Sequence, residues 1–113
     1  MASPLPYEIS PQDTKAKLDA GERVTLVDCR EPLEHAIAHL EGAHLIPMNN
    51  IPARLTTLES VADESLVIVY CHHGMRSMNV VNWLRQQGVE NCQSMAGGID
   101  RWSVEIDPSV PRY

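Results

Sequence analysis

Apolar residues in this chain follow two periods in turn. Short runs rich in β-branched residues, RVTLVDC (residues 23–29) and SLVIVYC (65–71), are separated by segments with apolar positions at helical spacing. YEIS (7–10) predicts a short extended lead-in. SPQDTKAKLDAG (10–21) predicts a helix with Ser10 as its cap, Pro11 at its first position and Gly21 as its stop. RVTLVDC reads as a buried strand, and EPLEHAIAHL (31–40) as a short helix with Pro32 in its first turn. AHLIPM (43–48) reads as a brief strand, and IPARLTTLESV (51–61) as a helix with Ile51, Leu55 and Leu58 on one stripe. SLVIVYC is the most apolar strand and is expected to be central and buried on both faces. RSMNVVNWLRQQG (76–88) gives a helix with Val80, Val81 and Leu84 inward, then VENCQSM (89–95) a last strand. GGIDRW (97–102) opens a final helical turn, and SVEIDPSVPRY (103–113) reads as an irregular surface tail.

Strands separated by helices imply an α/β fold: parallel pairing, right-handed crossovers and helices on both faces of the sheet. Ligands bind such sheets beyond the carboxyl ends of the strands. Three polar clusters fall there: DCRE (28–31), CHHGMRS (71–77) and MAGGIDRW (95–102).

Composition narrows the picture. The 113 residues suit a single domain, 1–113, and 43% hydrophobic residues argue against disorder. No apolar run approaches the ~20 residues that span a bilayer, so no membrane partner is expected. The opening MASPLPYEIS carries neither a basic region nor an apolar core of a secretory leader. A net charge of −6 argues against general nucleic-acid binding. The three cysteines, Cys29, Cys71 and Cys92, are odd in number and widely spaced. Reduced thiols and a cytoplasmic location are expected, with no disulfide framework.

The cluster after the most apolar strand carries the chemistry. Cys71 ends that strand, and a helix is expected to begin near Arg76 or Ser77. So short a connection turns successive backbone N–H groups inward as an anion-binding nest, with Gly74 allowing a positive φ. The helix N-terminus adds free N–H groups and the positive end of its dipole. A thiol placed there loses its proton more readily than a free one and becomes a nucleophile.

These features closely resemble the rhodanese family of sulfurtransferases. The resemblance rests on DCREPLEHAIAHLEGAHLIP (28–47), CHHGMRS (71–77) and GGIDRW (97–102), which stand in the family's order and cover nearly the whole chain. It implies a rhodanese-like α/β domain with a parallel sheet of about five strands. It also implies that Cys71 takes a sulfane sulfur from a donor such as thiosulfate, becomes a persulfide, and passes the sulfur to cyanide or a thiol. No metal or organic cofactor is implied. His72, His73, Gly74, Met75, Arg76 and Ser77 would form the substrate-binding loop, with Asp28 and Arg30 supporting it from behind. The stretch from Cys71 to Arg76 has six residues, as in the sulfur-transferring members. The related cell-cycle dual-specificity phosphatases have one more, which makes room for phosphate. Two alternatives stay open: a sulfur-relay module acting with a protein partner, and phosphatase or arsenate-reductase chemistry. The chain departs from the family where relatives read Gly-His-Ile and it has Ala38, His39 and Leu40, and where Cys29 replaces a more usual aliphatic residue.

Other residues have plainer readings. Neighbours along a strand point to opposite faces. If Asp28 and Arg30 face the site, Cys29 points into packing, and a core role is favoured over a resolving thiol. Cys92, early in its strand, is read as structural. Arg76 either faces a substrate anion or braces the loop against Asp28 or Glu34. Adjacent His72 and His73 on a turn do not converge on one ion, and His35 and His39 read as a solvated helix face. Gly97 and Gly98 read as a turn bringing backbone to the site, Trp102 as packing, and the tail is assigned no chemistry.

Overall fold

A computed structural model of the chain describes residues 5–113, so the first residues of the leader reading lie outside it. The chain runs through β1 (Glu8–Ile9), α1 (Pro11–Asp19), β2 (Val24–Asp28), α2 (Pro32–Ile37) and β3 (His44–Leu45). Two 3-10 turns, Met48–Asn50 and Pro52–Arg54, lead into α3 (Leu55–Glu64), β4 (Leu66–Tyr70), α4 (Met75–Gln86), β5 (Cys92–Met95) and α5 (Gly98–Glu105). The strands form one sheet in the order β1–β5–β4–β2–β3, and every neighbouring pair is parallel.

β4 is the middle strand, as its composition predicts. Val67, Ile68, Val69 and Tyr70 are fully buried. Burying each aliphatic side chain contributes ~1.5–3 kcal/mol. The alternation of side chains divides the core in two. Val27, Cys29, Val67, Val69 and Cys71 pack against Leu58 of α3 and Val80, Val81 and Leu84 of α4. Leu26, Ile68 and Tyr70 pack on the opposite face with Met95, and with Ile99 and Trp102 of α5.

Local signals set several boundaries. Ser10 Oγ accepts from Asp13 N at 3.0 Å and starts α1. α2 ends at Ile37 instead of running to Leu40, because Ala38 turns extended (φ −161°, ψ 140°). Its carbonyl then accepts from Arg30, and Leu40 N donates to the Tyr70 hydroxyl at 3.1 Å. α5 is longer than the single turn expected and absorbs the start of the supposed tail. β5 begins at Cys92, later than the apolar pattern suggested.

Arg30 is the largest fully buried side chain. Its Nε and Nη2 donate to Asp28 Oδ1 and Oδ2 at 2.8 and 2.6 Å, and its Nη1 donates to the Tyr113 hydroxyl at 2.8 Å. His35 Nδ1 also contacts Asp28 Oδ2, at 2.7 Å. Burial pushes the Asp28 carboxyl up, but the bonds from Arg30 and His35 outweigh it and hold it below its ordinary 3.8. Its contribution to stability is therefore complete above that value and is lost as pH falls through the lower folded one.

Removing one partner of a buried pair leaves the other charge uncompensated. Arg30→Ala should cost about 3–5 kcal/mol in chemical denaturation at neutral pH, and the variant should lose less further stability on acidification than the parent. A loss within the range of an exposed pair would show that Arg30 does not brace this corner.

Candidate active site

The peptide leaves β4 at Tyr70 and enters α4 at Met75, so Cys71 to Gly74 make the whole connection. α4 begins one residue earlier than the sequence suggests. Gly74 precedes it at φ +104°, a conformation that side chains rarely adopt, and a Cβ there would come within 3.2 Å of Gly97 N. On the far side of the loop, Ile99 N donates to the Cys71 carbonyl at 2.9 Å and Asp100 N to the His72 carbonyl at 3.1 Å. Gly98 permits this approach. A Cβ on it would lie 2.5 Å from the Cys71 oxygen and 2.4 Å from that of His72.

Farther along the same turn, amides face the sulfur. Gly74 N and Ser77 N point at Cys71 Sγ from 3.1 and 3.3 Å. Ser77 Oγ lies 3.5 Å from the sulfur, 3.2 Å from the Gly74 carbonyl to which it donates, and 2.7 Å from Ser94 Oγ, so with Ser94 donating to it Ser77 can turn its proton from that carbonyl to a thiolate. Cys71 is 1% exposed, so the loop and sheet enclose the sulfur.

The Cys71 thiol is held well below the ordinary thiol range. The adjoining Cys29 thiol is the first cause; burial opposes it, and Ser77 and Gly74 add to the lowering. Cys29 moves the other way, pushed up by Cys71 and by burial. The two thiols thus shift in opposite directions, which favours the thiolate at Cys71 and the protonated form at Cys29. The amides aimed at Cys71 Sγ are those of Gly74 and Ser77, and Cys29 adds its effect from the neighbouring strand.

Arg76 lies against a carboxylate. Its Nη1 and Nη2 donate to Glu34 Oε1 and Oε2 at 2.7 and 2.9 Å. That bond, opposed by burial and aided by the Tyr113 hydroxyl, lowers the Glu34 carboxyl to about 2. Asp28 and Arg30 do not face the sulfur. They lie on the opposite side of β2 from Cys29, and Arg30 reaches the loop only through Glu34 and Tyr113. The alternation along β2 is as expected, but the face that looks toward Cys71 carries Cys29, which shares its buried cluster.

His72 is sandwiched. Its ring stacks on Tyr113 at 4.0 Å between centroids and tilts against His73 at 3.9 Å. Burial pushes its imidazole pKa down, and its Nε2 has no hydrogen-bond partner among the described residues. His73 is exposed, with Nδ1 4.0 Å from Asp100 Oδ2. Met75 is 79% exposed at the loop's outer edge. His35 and His39 stack at 4.1 Å with their Nδ1 atoms occupied by Asp28 and the His35 carbonyl. No three His, Cys, Asp or Glu residues group as metal ligands among the described residues.

Two contributors were missed in the sequence. Tyr113, from the tail assigned no chemistry, covers His72 and donates to Glu34 Oε2 at 2.7 Å. Ser94, at 2.7 Å from Ser77 Oγ, extends the hydroxyl relay. Neither stands near Cys71 in the chain, and no local motif marks them.

Comparison with known proteins agrees with this architecture. The rhodanese-like domain model matches residues 10–105. The thiosulfate sulfurtransferase GlpE of Haemophilus influenzae is 39% identical over 97 residues, 84% of this chain and 86% of that protein. The putative sulfurtransferase YtwF of Bacillus subtilis is 38% identical over 101 residues, 89% of this chain and 94% of that protein. The crystal structure of a rhodanese-related protein from Thermoplasma volcanium superposes with a TM-score of 0.79 at 29% identity, over 96% of this chain and 100% of that one. The first curated relatives matched are longer, and this chain spans only 24–31% of their length. A parallel sheet of this order, a cysteine loop closed by a glycine pair and a family match over most of its length place the chain in the rhodanese-like sulfurtransferase family.

Proposed function

We propose that this chain moves a sulfane sulfur from a donor such as thiosulfate to cyanide or a thiol through a persulfide on Cys71. The observation that carries the reading is the convergence of Gly74 N, Ser77 N and Ser77 Oγ on Cys71 Sγ. In the first half-reaction the Cys71 thiolate attacks the outer sulfur of thiosulfate. A sulfur–sulfur bond forms to Cys71, the original one breaks, and sulfite leaves with its electron pair. In the second, the acceptor attacks that outer sulfur and Cys71 leaves as a thiolate. The loop donors stabilise the same anion at both ends of the cycle, which suits two half-reactions of ping-pong form. The name of the Haemophilus influenzae relative supports thiosulfate as donor.

A sulfur-relay role with a protein partner is the second reading. Leu33 and Met75 support it: they are 81% and 79% exposed and are chain neighbours of the paired Glu34 and Arg76. Exposed apolar side chains at these two positions suit a protein surface better than a small anion. The short loop disfavours phosphatase chemistry, because Gly74 N and Ser77 N are already drawn onto the sulfur.

Intact-mass measurement after thiosulfate should show one added sulfur atom, removed again by cyanide. Cys71→Ala should abolish both changes, and Cys92→Ala should leave them unchanged. Normal transfer by the Cys71→Ala protein would falsify the assignment. Aryl phosphate should be turned over negligibly, and turnover that disappears on Cys71→Ser would favour the phosphatase reading.

The pH dependence of alkylation probes the loop itself. In a Cys92→Ala background, Cys71 should react with iodoacetamide with an inflection below the ~8.5 of a free thiol. Adding Cys29→Ala should raise that inflection, because the first cause of the lowering is gone. Arg76→Ala should raise it less, since its guanidinium is already bound to Glu34. An inflection at the free-thiol value in the parent would mean that burial outweighs the loop donors.

A further inference from the structure

Cys29 and Cys71 are neighbours across the sheet. β2 and β4 run parallel with Asp28 opposite Tyr70. Cys29 N donates to the Tyr70 carbonyl at 3.1 Å, so the ladder continues one step beyond the strands and sets Cys29 beside Cys71. Adjacent strands lie about 4.8 Å apart, within the ~4.4–6.8 Å Cα separation that a disulfide bridges. Both side chains enter the same buried cluster with Val27 and Val69, and so leave the same face of the sheet. Both residues are 1% exposed. Cys92 shares the cluster but pairs with Val67. That position lies four residues before Cys71, or ~13 Å along the strand, out of bonding range.

Sulfur transfer needs only Cys71, yet the second thiol stands where a bond to it can form. We infer that Cys29 is a resolving thiol that discharges the Cys71 persulfide as sulfide when no acceptor takes the sulfur, leaving a Cys29–Cys71 disulfide. The inference rests on the persulfide reading above.

The step balances without an outside oxidant. Cys29 Sγ attacks Cys71 Sγ, the bond from Cys71 Sγ to the outer sulfur breaks, and that sulfur leaves as hydrogen sulfide with the Cys29 proton. The outer sulfur is reduced to sulfide as the Cys29 sulfur is oxidised, while the Cys71 sulfur keeps the oxidation level it had in the persulfide. An external dithiol then reduces the bridge by exchange and restores both thiols.

The surroundings make this a slow side exit. With Cys71 a thiolate, Cys29 keeps its proton and is a poor nucleophile. Once Cys71 carries the persulfide, the negative charge moves to the outer sulfur, away from Cys29. The restraint on Cys29 weakens but burial remains, so an acceptor at the loop mouth acts first. Without one, the chain sheds its sulfur and locks.

The test uses the whole chain loaded with thiosulfate, freed of donor, and kept without cyanide or thiol. Intact mass should pass from the persulfide to a species two hydrogens lighter than the reduced protein, with sulfide released into solution. After alkylation, trypsin separates the three cysteines into peptides 24–30, 55–76 and 86–101, and the first two should be joined. Cys29→Ala and Cys29→Ser, loaded at alkaline pH to offset the weaker thiolate, should keep the added sulfur while the parent loses its own. A dithiol should restore the parent's capacity to be loaded. A parent that gains the sulfur and keeps it as long as the variants overturns the resolving role alone. So does a bridge to peptide 86–101. A parent that never gains sulfur overturns the persulfide reading and this inference together. The parent's own mass and peptide map decide the matter even if the variants fold poorly.

Discussion

The amides of Ile99 and Asp100, donating to the carbonyls of Cys71 and His72, determine which way the loop's peptide planes face. With those oxygens committed to the start of α5, the first two peptides of the loop are held, and Gly74 N and Ser77 N beyond them point at the sulfur. The arrangement needs a residue without Cβ at Gly98, because any side chain would press on both carbonyls. The last strand–helix unit therefore serves the loop of the preceding one. Packing of α5 against the sheet through Ile99 and Trp102 anchors that service to the core.

The electrostatics follow from the same geometry. A cation in the first turn of a helix opposes the macrodipole. Arg76 occupies that place in α4 and is balanced by two bonds to Glu34. From there a chain of partners runs through the Tyr113 hydroxyl to Arg30 and on to Asp28 and His35. Its charged members, Arg76, Glu34, Arg30 and Asp28, alternate in sign, so it stiffens the corner without adding a strong net field at the sulfur. Bonds to a charged group are each worth roughly 1.5–3 kcal/mol, whereas a part-exposed cation already paired with a carboxylate contributes less. Amides, a hydroxyl and the second thiol therefore govern Cys71, and Arg76 acts chiefly by holding the loop in place.

Much of this was legible in the chain itself. β4 shows as an unbroken apolar run because both its faces are covered, and α4 shows as a stripe because one face is covered. Ser10, Pro11 and Gly74 mark their turns because capping and positive φ are local demands. The rest depends on contacts between distant residues. α2 stops early because Arg30 captures the Ala38 carbonyl, which no helical propensity encodes. Alternation along β2 separates Asp28 from Cys29, but only the placement of α3 and α4 decides which side meets the sulfur. Tyr113 reaches the loop from the far end of the chain, where the prolines Pro108 and Pro111 mark irregular backbone and nothing more.

The groups that grip the sulfur are mostly main-chain amides, while the side chains of His73 and Met75 stand outward in solvent. Chemistry and recognition are thereby assigned to different atoms of the same few residues. Replacing an outward side chain alters what approaches the mouth without disturbing the amides behind it, so related chains can diverge in partner choice while inheriting one unchanged reaction. The glycines are the counterweight: Gly74 and Gly98 serve through their lack of a side chain, and drift at either would reach the sulfur directly.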